Sequence, residues 1–295
     1  MTAVVVPVYD GAGILAVTVP AVLALGGVDA WVWVDDGSTD GTARALRDLT
    51  AGHARARVVS LPENRGRAAA RNAGAGATAA DVLVFLDADV EPRPSAAAAL
   101  TAAATAPGAV ASVARLAPVA TDPSDPYQDY LAHHPRGPSP DLPAGAPVDW
   151  RFFLSGACAV RREALERAGG FPESVDYGED AALACALAQR APSGLRLAPT
   201  RVRLHGLPTL DGALGHAAAF GRALPAIREH CASGSVATLA RLQTLAPAAR
   251  LAAPVLRAAV RRMGPGPLQR RAVRYLLGLT MLSARRARPR APESS

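Results

Sequence analysis

VLVFLDADVEP, residues 82–92, decides how the rest of the chain is read. Five apolar residues in succession, Val82 to Leu86, run directly into Asp87 and Asp89. A run that apolar suits a strand covered on both faces, as in a parallel sheet flanked by helices. Charge at the end of such a strand is costly unless something pairs with it. Two carboxylates separated by one residue share a face in extended geometry. Hard divalent cations prefer oxygen ligands, and magnesium-type ions bind through one or two carboxylates plus substrate phosphates. The pair therefore reads as a site for a metal and a diphosphate. A turn or helix cap built with Pro92 and Pro94 is the plainer alternative.

Outward from this stretch the pattern repeats. AVVVPV (3–8), AWVWV (30–34), ARVVSL (56–61) and DVLVFL (81–86) read as strands. Between and after them, 14–25 (despite Pro20), 42–50, 67–77 and 96–106 read as helices. Strands alternating with helices imply a layered α/β fold on a mostly parallel sheet. From 118 to 149 the pattern dissolves into Pro, Gly and Asp, a long irregular crossing. Order returns with FFLSGACAV (152–160), helices over 162–168 and 182–190, and LRLAP and RVRLH (195–205). Beyond residue 210 the chain reads as helices broken by Gly and Pro.

Composition narrows the function classes. The 295 residues are 50% hydrophobic with a net charge of +7 and contain no lysine, so arginine carries all the basic charge. Aromatic residues make up 4%, which leaves few rings to stack on bases and argues against nucleic acid. With a strand pattern starting at the second residue, no leader is expected, and no stretch of about twenty residues reads as apolar enough to span a bilayer. The cytoplasm is the expected compartment.

In an open α/β sheet, ligands bind outside the carboxyl ends of the strands. Just past the four strands stand PVYDG (7–11), DDGSTDGT (35–42), PENRGR (62–67) and DADVEP (87–92), all polar and all on one sheet edge. Ser38 to Asp40 suit the cap of the helix that follows. Asp36, at the strand end, is left to accept hydrogen bonds from a base. Arg65, Arg67 and Arg71 surround a glycine, and the guanidinium fork suits phosphate. For any one of the three, solvated surface is the plain alternative.

These residues resemble the family 2 glycosyltransferases of the GT-A fold. The resemblance is carried by VVVPVYD, VDDGSTDGT, ENRGRAAARNAG, VLVFLDADV, SGACAVRREALERAGGFPE and YGED, in order across about residues 3 to 205. It implies a nucleotide-diphosphate sugar donor, Mg²⁺ or Mn²⁺, and inversion at the anomeric carbon. It also implies that Pro7, Val8 and Tyr9 line the base pocket, that Asp36 binds the base (commonly uracil), and that Arg67 serves the donor. Asp87 and Asp89 would be the D-x-D element, with Asp89 the more direct metal ligand, and His205 would stand near the metal. Asp180 matches the family's catalytic base; capping of helix 182–190 is its plainer reading. Residues 1–210 would then be the catalytic domain, with a nucleotide-sugar half (1–115) and an acceptor half (116–210). A helical region over 211–295 would end in disorder.

Departures sharpen the reading. The base motif continues as GEDAALA, without the second acid many relatives carry. The Q-x-x-R-W element of processive synthases is absent, which argues for transfer of one sugar. His133 and His134 lack metal-ligand spacing. A dehalogenase-type phosphatase would want Thr or Val where Glu91 stands, and a nucleotidyltransferase would want a glycine-rich basic loop where PVYDGAG stands. A donor-binding protein without transferase activity is the non-enzymatic alternative. The arginine-rich tail interleaves apolar residues, so it suits either an anionic membrane surface bearing a lipid-linked acceptor or packing on protein.

Overall fold

The computed structural model describes residues 1–134, 136–231 and 246–284. They fall into two compact units: 1–119 with 134–174 and 179–207, and 120–133 with 175–178 and the segment from 208 onward. The expected disorder of the last dozen residues concerns positions outside the described ones.

The first unit is built on one eight-stranded sheet in the order β3-β2-β1-β4-β7-β6-β8-β5. Its strands are β1 (Thr2–Val8), β2 (Ala30–Asp35), β3 (Ala56–Ser60), β4 (Val82–Leu86), β5 (Val90–Glu91), β6 (Ala111–Pro118), β7 (Ala157–Arg161) and β8 (Leu195–Leu204). β1 to β4 form a parallel run, β7 turns antiparallel to both β4 and β6, and β6 and β8 are again parallel. The helices are α1 (Ala12–Leu23), α2 (Thr42–Thr50), α3 (Gly66–Gly76), α4 (Ala96–Thr105), α6 (Arg162–Ala168) and α7 (Glu179–Arg190).

The opening stretch behaves as its apolarity requires. Val82, Val84 and Leu86 join one core cluster with α1 and α4 residues, while Leu83 and Phe85 join the other with α3 and α7 residues. β1 divides in the same way, Val4, Val6 and Val8 to one side and Ala3 and Val5 to the other. At about 25 cal/mol per Å² of apolar surface removed from water, this two-sided burial is what holds the sheet edge in place.

Several elements differ from the sequence reading. β6 was not anticipated; it sits inside a stretch whose Ala, Arg and Pro obscure the alternation. LRLAP and RVRLH form one strand, β8, and Pro199 is accommodated where the β6–β8 register shifts, the kind of irregularity that tolerates proline in a sheet. The stretch 118–149 is not wholly irregular. It contains α5 (Pro126–His133), which belongs to the second unit, and residues 145–148 pair with β8 through Gly145 N to Leu197 O (2.7 Å) and Val148 N to Leu195 O (2.9 Å).

The second unit gathers α5 with α8 (Leu210–His230), α9 (Ala246–Arg262) and α10 (Pro267–Ser283). Thr209 caps α8, its hydroxyl accepting from Gly212 N. Pro225 and Pro254 lie inside α8 and α9, where the sequence suggested breaks. Gln269, buried in α10, donates to the carbonyls of Val260 (3.1 Å) and Met263 (2.8 Å), closing the α9–α10 turn. Arg270 pairs with Asp129 of α5 at 3.1 Å.

Candidate active site

The site lies entirely in the first unit, and α3 organises it. At its N-terminus, Asp36 accepts from the backbone N–H of Arg65 (2.8 Å) and of Gly66 (2.9 Å). A carboxylate there satisfies amides that have no intrahelical partner and favours the positive end of the helix dipole. Asp36 is thus buried, 3% exposed, and already employed, whereas the sequence left it free for a base. Burial raises its pKa, offset in part by those two amides. Accepting capacity remains, since each carboxylate oxygen has a second lone pair.

Gly37 allows this approach. Its φ is +69°, and a Cβ there would stand 2.3 Å from the carbonyl carbon of Glu63. Only glycine fits. Beside it, the first two strand-end loops are stitched together. Asp10, at a left-handed φ of +44°, accepts from Thr39 N (2.8 Å), and Ser38 Oγ accepts from Asp10 N (3.0 Å). Within the segment expected to cap α2, which starts after Gly41, Asp40 accepts from both the N–H (3.0 Å) and the hydroxyl (2.6 Å) of Thr42, the first helical residue. Pro7 and Val8 are buried in β1, so of the three expected base-pocket residues Tyr9, 50% exposed, presents the accessible side chain.

The polar centre was missed by the sequence reading. Arg71, 1% exposed, donates from Nη1 to Glu179 Oε1 (2.6 Å) and from Nη2 to Asp87 Oδ1 (2.7 Å). One guanidinium fork therefore ties the D-x-D strand end to the start of α7. Burial alone would lower the Arg71 pKa, but Asp87 and Glu179 more than offset that and raise it. Arg67, one turn earlier on α3, places its Nε 3.6 Å from the same Glu179 oxygen. Asn72 clamps the next motif, donating to Phe171 O (2.8 Å) and accepting from Phe171 N (2.9 Å). The Phe171 ring lies 5.3 Å from the Arg71 guanidinium and packs edge-on against Phe85 at 5.0 Å. The available signal was the R-x-x-x-R spacing of Arg67 and Arg71, about one helical turn, which puts both guanidiniums on one face.

Asp180 lies in the first turn of α7 rather than at its cap. Burial, then neighbouring Glu179, push its carboxyl up to about 6, while Arg71 and Arg67 pull the other way. Asp89 is pushed up to about 7 by burial and by Asp87 beside it. Its Oδ1 is buried with no hydrogen-bond partner. The two acids lie in a turn rather than in the extended geometry expected, Val90 N donating to Asp87 O at 3.2 Å. Two neighbouring carboxylates, one with an unsatisfied buried oxygen, are a donor set a hard cation would relieve. Asp87 is kept tightly placed, because a Cβ at Gly156 would come within 2.6 Å of its Oδ2. His205 reaches the same corner through its backbone N–H, which donates to Asp89 O at 2.8 Å. Its Nε2, however, is engaged by Glu91 at 2.7 Å, and Glu91 also pairs with Arg203. Asp87 and Asp89 thus have the oxygen donors a divalent ion would need, while the His205 ring is held by Glu91. No cluster of three or more His, Cys, Asp or Glu side chains with metal-binding geometry occurs among the described residues.

This fold, with acids gathered at the carboxyl ends of its parallel strands, is that of the GT-A glycosyltransferases. Residues 3–169 match the family model described as glycosyl transferase family 2, and the chain belongs to that family. It is 31% identical over 214 residues to the pre-mycofactocin glycosyltransferase of Mycobacterium tuberculosis; the match covers 68% of this chain and 42% of that longer protein. Among solved structures, the mannosyltransferase PcManGT of Pyrobaculum calidifontis, in complex with GDP-Man and Mn²⁺, superposes with a TM-score of 0.58 at 22% identity over 96% of this chain and 86% of its own. S. aureus TarS 1–349 in complex with UDP-GlcNAc gives 0.57 at 16% identity over 76% of this chain and 65% of its own.

Proposed function

We propose that this chain transfers one sugar from a nucleotide-diphosphate sugar, UDP-linked by preference, to an acceptor hydroxyl with inversion. The observation that carries the reading is the Arg71 bridge, which joins Asp87 of the D-x-D element to Glu179, the neighbour of Asp180. The acceptor oxygen attacks the anomeric carbon as the bond from that carbon to the diphosphate oxygen breaks, and the acceptor proton passes to Asp180. A carboxylate whose pKa stands near 6 is ionised at neutral pH yet basic enough to take that proton. Tyr9 and Arg67 are the accessible ring and cation for the donor. Asp89, with Asp87, would hold Mg²⁺ or Mn²⁺, which when bound offsets the negative charge gathering on the departing diphosphate. The two solved neighbours, one complexed with UDP-GlcNAc and the other with GDP-Man and Mn²⁺, are consistent with such a donor and metal.

A ligand bound only by the folded state raises its melting temperature. UDP is expected to raise it more than GDP or TDP, with a further rise on adding Mn²⁺. In Asp89→Asn the metal increment should vanish while the chain still folds. An unchanged increment in that variant would sink the metal assignment, and no shift with any nucleotide would sink the donor reading.

The acceptor is proposed to be lipid-linked and met at the inner face of the membrane. No described helix is long and apolar enough to cross a bilayer. The α9–α10 pair nonetheless exposes Leu251 (79%), Val255 (72%), Leu268 (69%) and Tyr275 (70%). Arginines are interleaved and neither helix contains an acid. Apolar residues beside cations suit the headgroup region of an anionic bilayer. Vesicles containing anionic lipid should sediment the protein, and Leu251→Ser with Val255→Ser should release it. Equal partitioning onto neutral vesicles would count against the surface.

A further inference from the structure

Helix α9 places Arg250, Arg257 and Arg261 on one face, at spacings of seven and four residues. That face, with Leu214 of α8 and Leu276 and Thr280 of α10, lines an open cavity of about 600 Å³ within the second unit. This volume lies in the range of small-molecule sites. We propose that the cavity binds the phosphate head of an anionic amphiphile, a phosphate ester on an apolar chain. The inference stands apart from sugar transfer and does not depend on it.

Charge is the first argument. Among the described residues, no acid lines the wall. The neighbouring carboxylate is Asp211, shared by two guanidiniums: Arg257 Nη2 to Oδ1 at 2.6 Å and Arg261 Nη2 to Oδ2 at 2.5 Å. Arg250 spends its Nε on the Ser283 carbonyl at 3.1 Å. Each guanidinium has five donors, so most remain for an anion. The second argument is an unmet need, because Arg257 Nε is buried with no acceptor among the described residues. Such a group costs free energy until something accepts from it. The third is the apolar wall of Leu214 and Leu276. Free phosphate gains nothing from leucine, and a neutral lipid gains nothing from three cations. A phosphate with a carbon chain uses both.

The test is calorimetric titration of the full chain with dodecyl phosphate below its micellar concentration. Arg250→Gln is expected to weaken binding at least about tenfold, the value of one charged hydrogen bond. That arginine pairs with no acid among the described residues, so its loss leaves the Asp211 pairs intact. Asp211→Asn is expected to tighten binding severalfold, because it releases two guanidiniums toward the cavity. A merely structural Asp211 would give the opposite sign, by loosening the helices. Weaker binding in Asp211→Asn, indifference to Arg250→Gln, or equal binding of neutral dodecyl maltoside would each overturn the proposal. Inorganic phosphate binding as tightly as dodecyl phosphate would overturn its amphiphilic part. The UDP-induced melting shift should be unchanged in both variants.

Discussion

Asp180→Asn should lower kcat by about 10²–10⁴-fold, the usual worth of a positioned general base, while leaving donor affinity within about twofold. The amide is nearly isosteric and keeps an oxygen for the Ala181 N–H that Asp180 now accepts (2.8 Å). It cannot accept a proton at neutral pH. The loss should therefore appear in kcat, the signature of an interaction needed in the transition state. The pH profile supplies the sign. Asp180 is raised from an ordinary carboxyl to about 6, burial being the largest cause. Its basic form dominates above that value, so wild-type turnover should fall as pH drops through about 6. In Asp180→Asn that limb should disappear. Near-normal turnover in the variant, or an acid limb it leaves untouched, would remove Asp180 as the base.

The second large effect is on stability. Arg71→Met removes the cation between Glu179, whose side chain is 3% exposed, and Asp87, at 34%. Breaking a buried ion pair from one side costs about 3–5 kcal/mol, because the partner is left charged and unpaired. For a chain of this size that corresponds to a fall of roughly 10 °C in melting temperature. Arg71→Lys should rescue little, since an ammonium cannot span two acids as the fork does. Adding Glu179→Gln to Arg71→Met should recover part of the loss, the non-additivity expected of direct partners. A melting temperature within two degrees of wild type would show that the bridge is not what holds α3, β4 and α7 together.

Much of this was legible beforehand, and the reasons are local. Val82 to Leu86 had to be buried on both faces, and that fixed β4 and the parallel run around it. The acids at its end, Asp87 and Asp89, are where a strand-end reading puts them. Asp180 came through motif resemblance alone, and the structure adds its setting. What stayed hidden depends on contacts between distant segments. Arg71 looked like one arginine among many, because its two acids lie 16 and 108 residues away. Asp36 looked free because its partners are backbone amides, which no side-chain pattern reveals. β8 was split at Pro199 because a register shift, a property of two strands together, is what makes that proline tolerable.

One consequence follows from the length of α3. The same short helix receives Asp36 at its first turn, holds Glu179 and Asp87 from Arg71, and grips Phe171 from Asn72. Each residue along a helix advances about 1.5 Å and turns about 100°. A single residue inserted between Gly66 and Arg71 would swing the guanidinium by more than a quarter turn away from both acids. Helix α3 therefore works as a ruler of fixed length. In this chain the spacing ENRGRAAARNAG cannot lengthen or shorten by one.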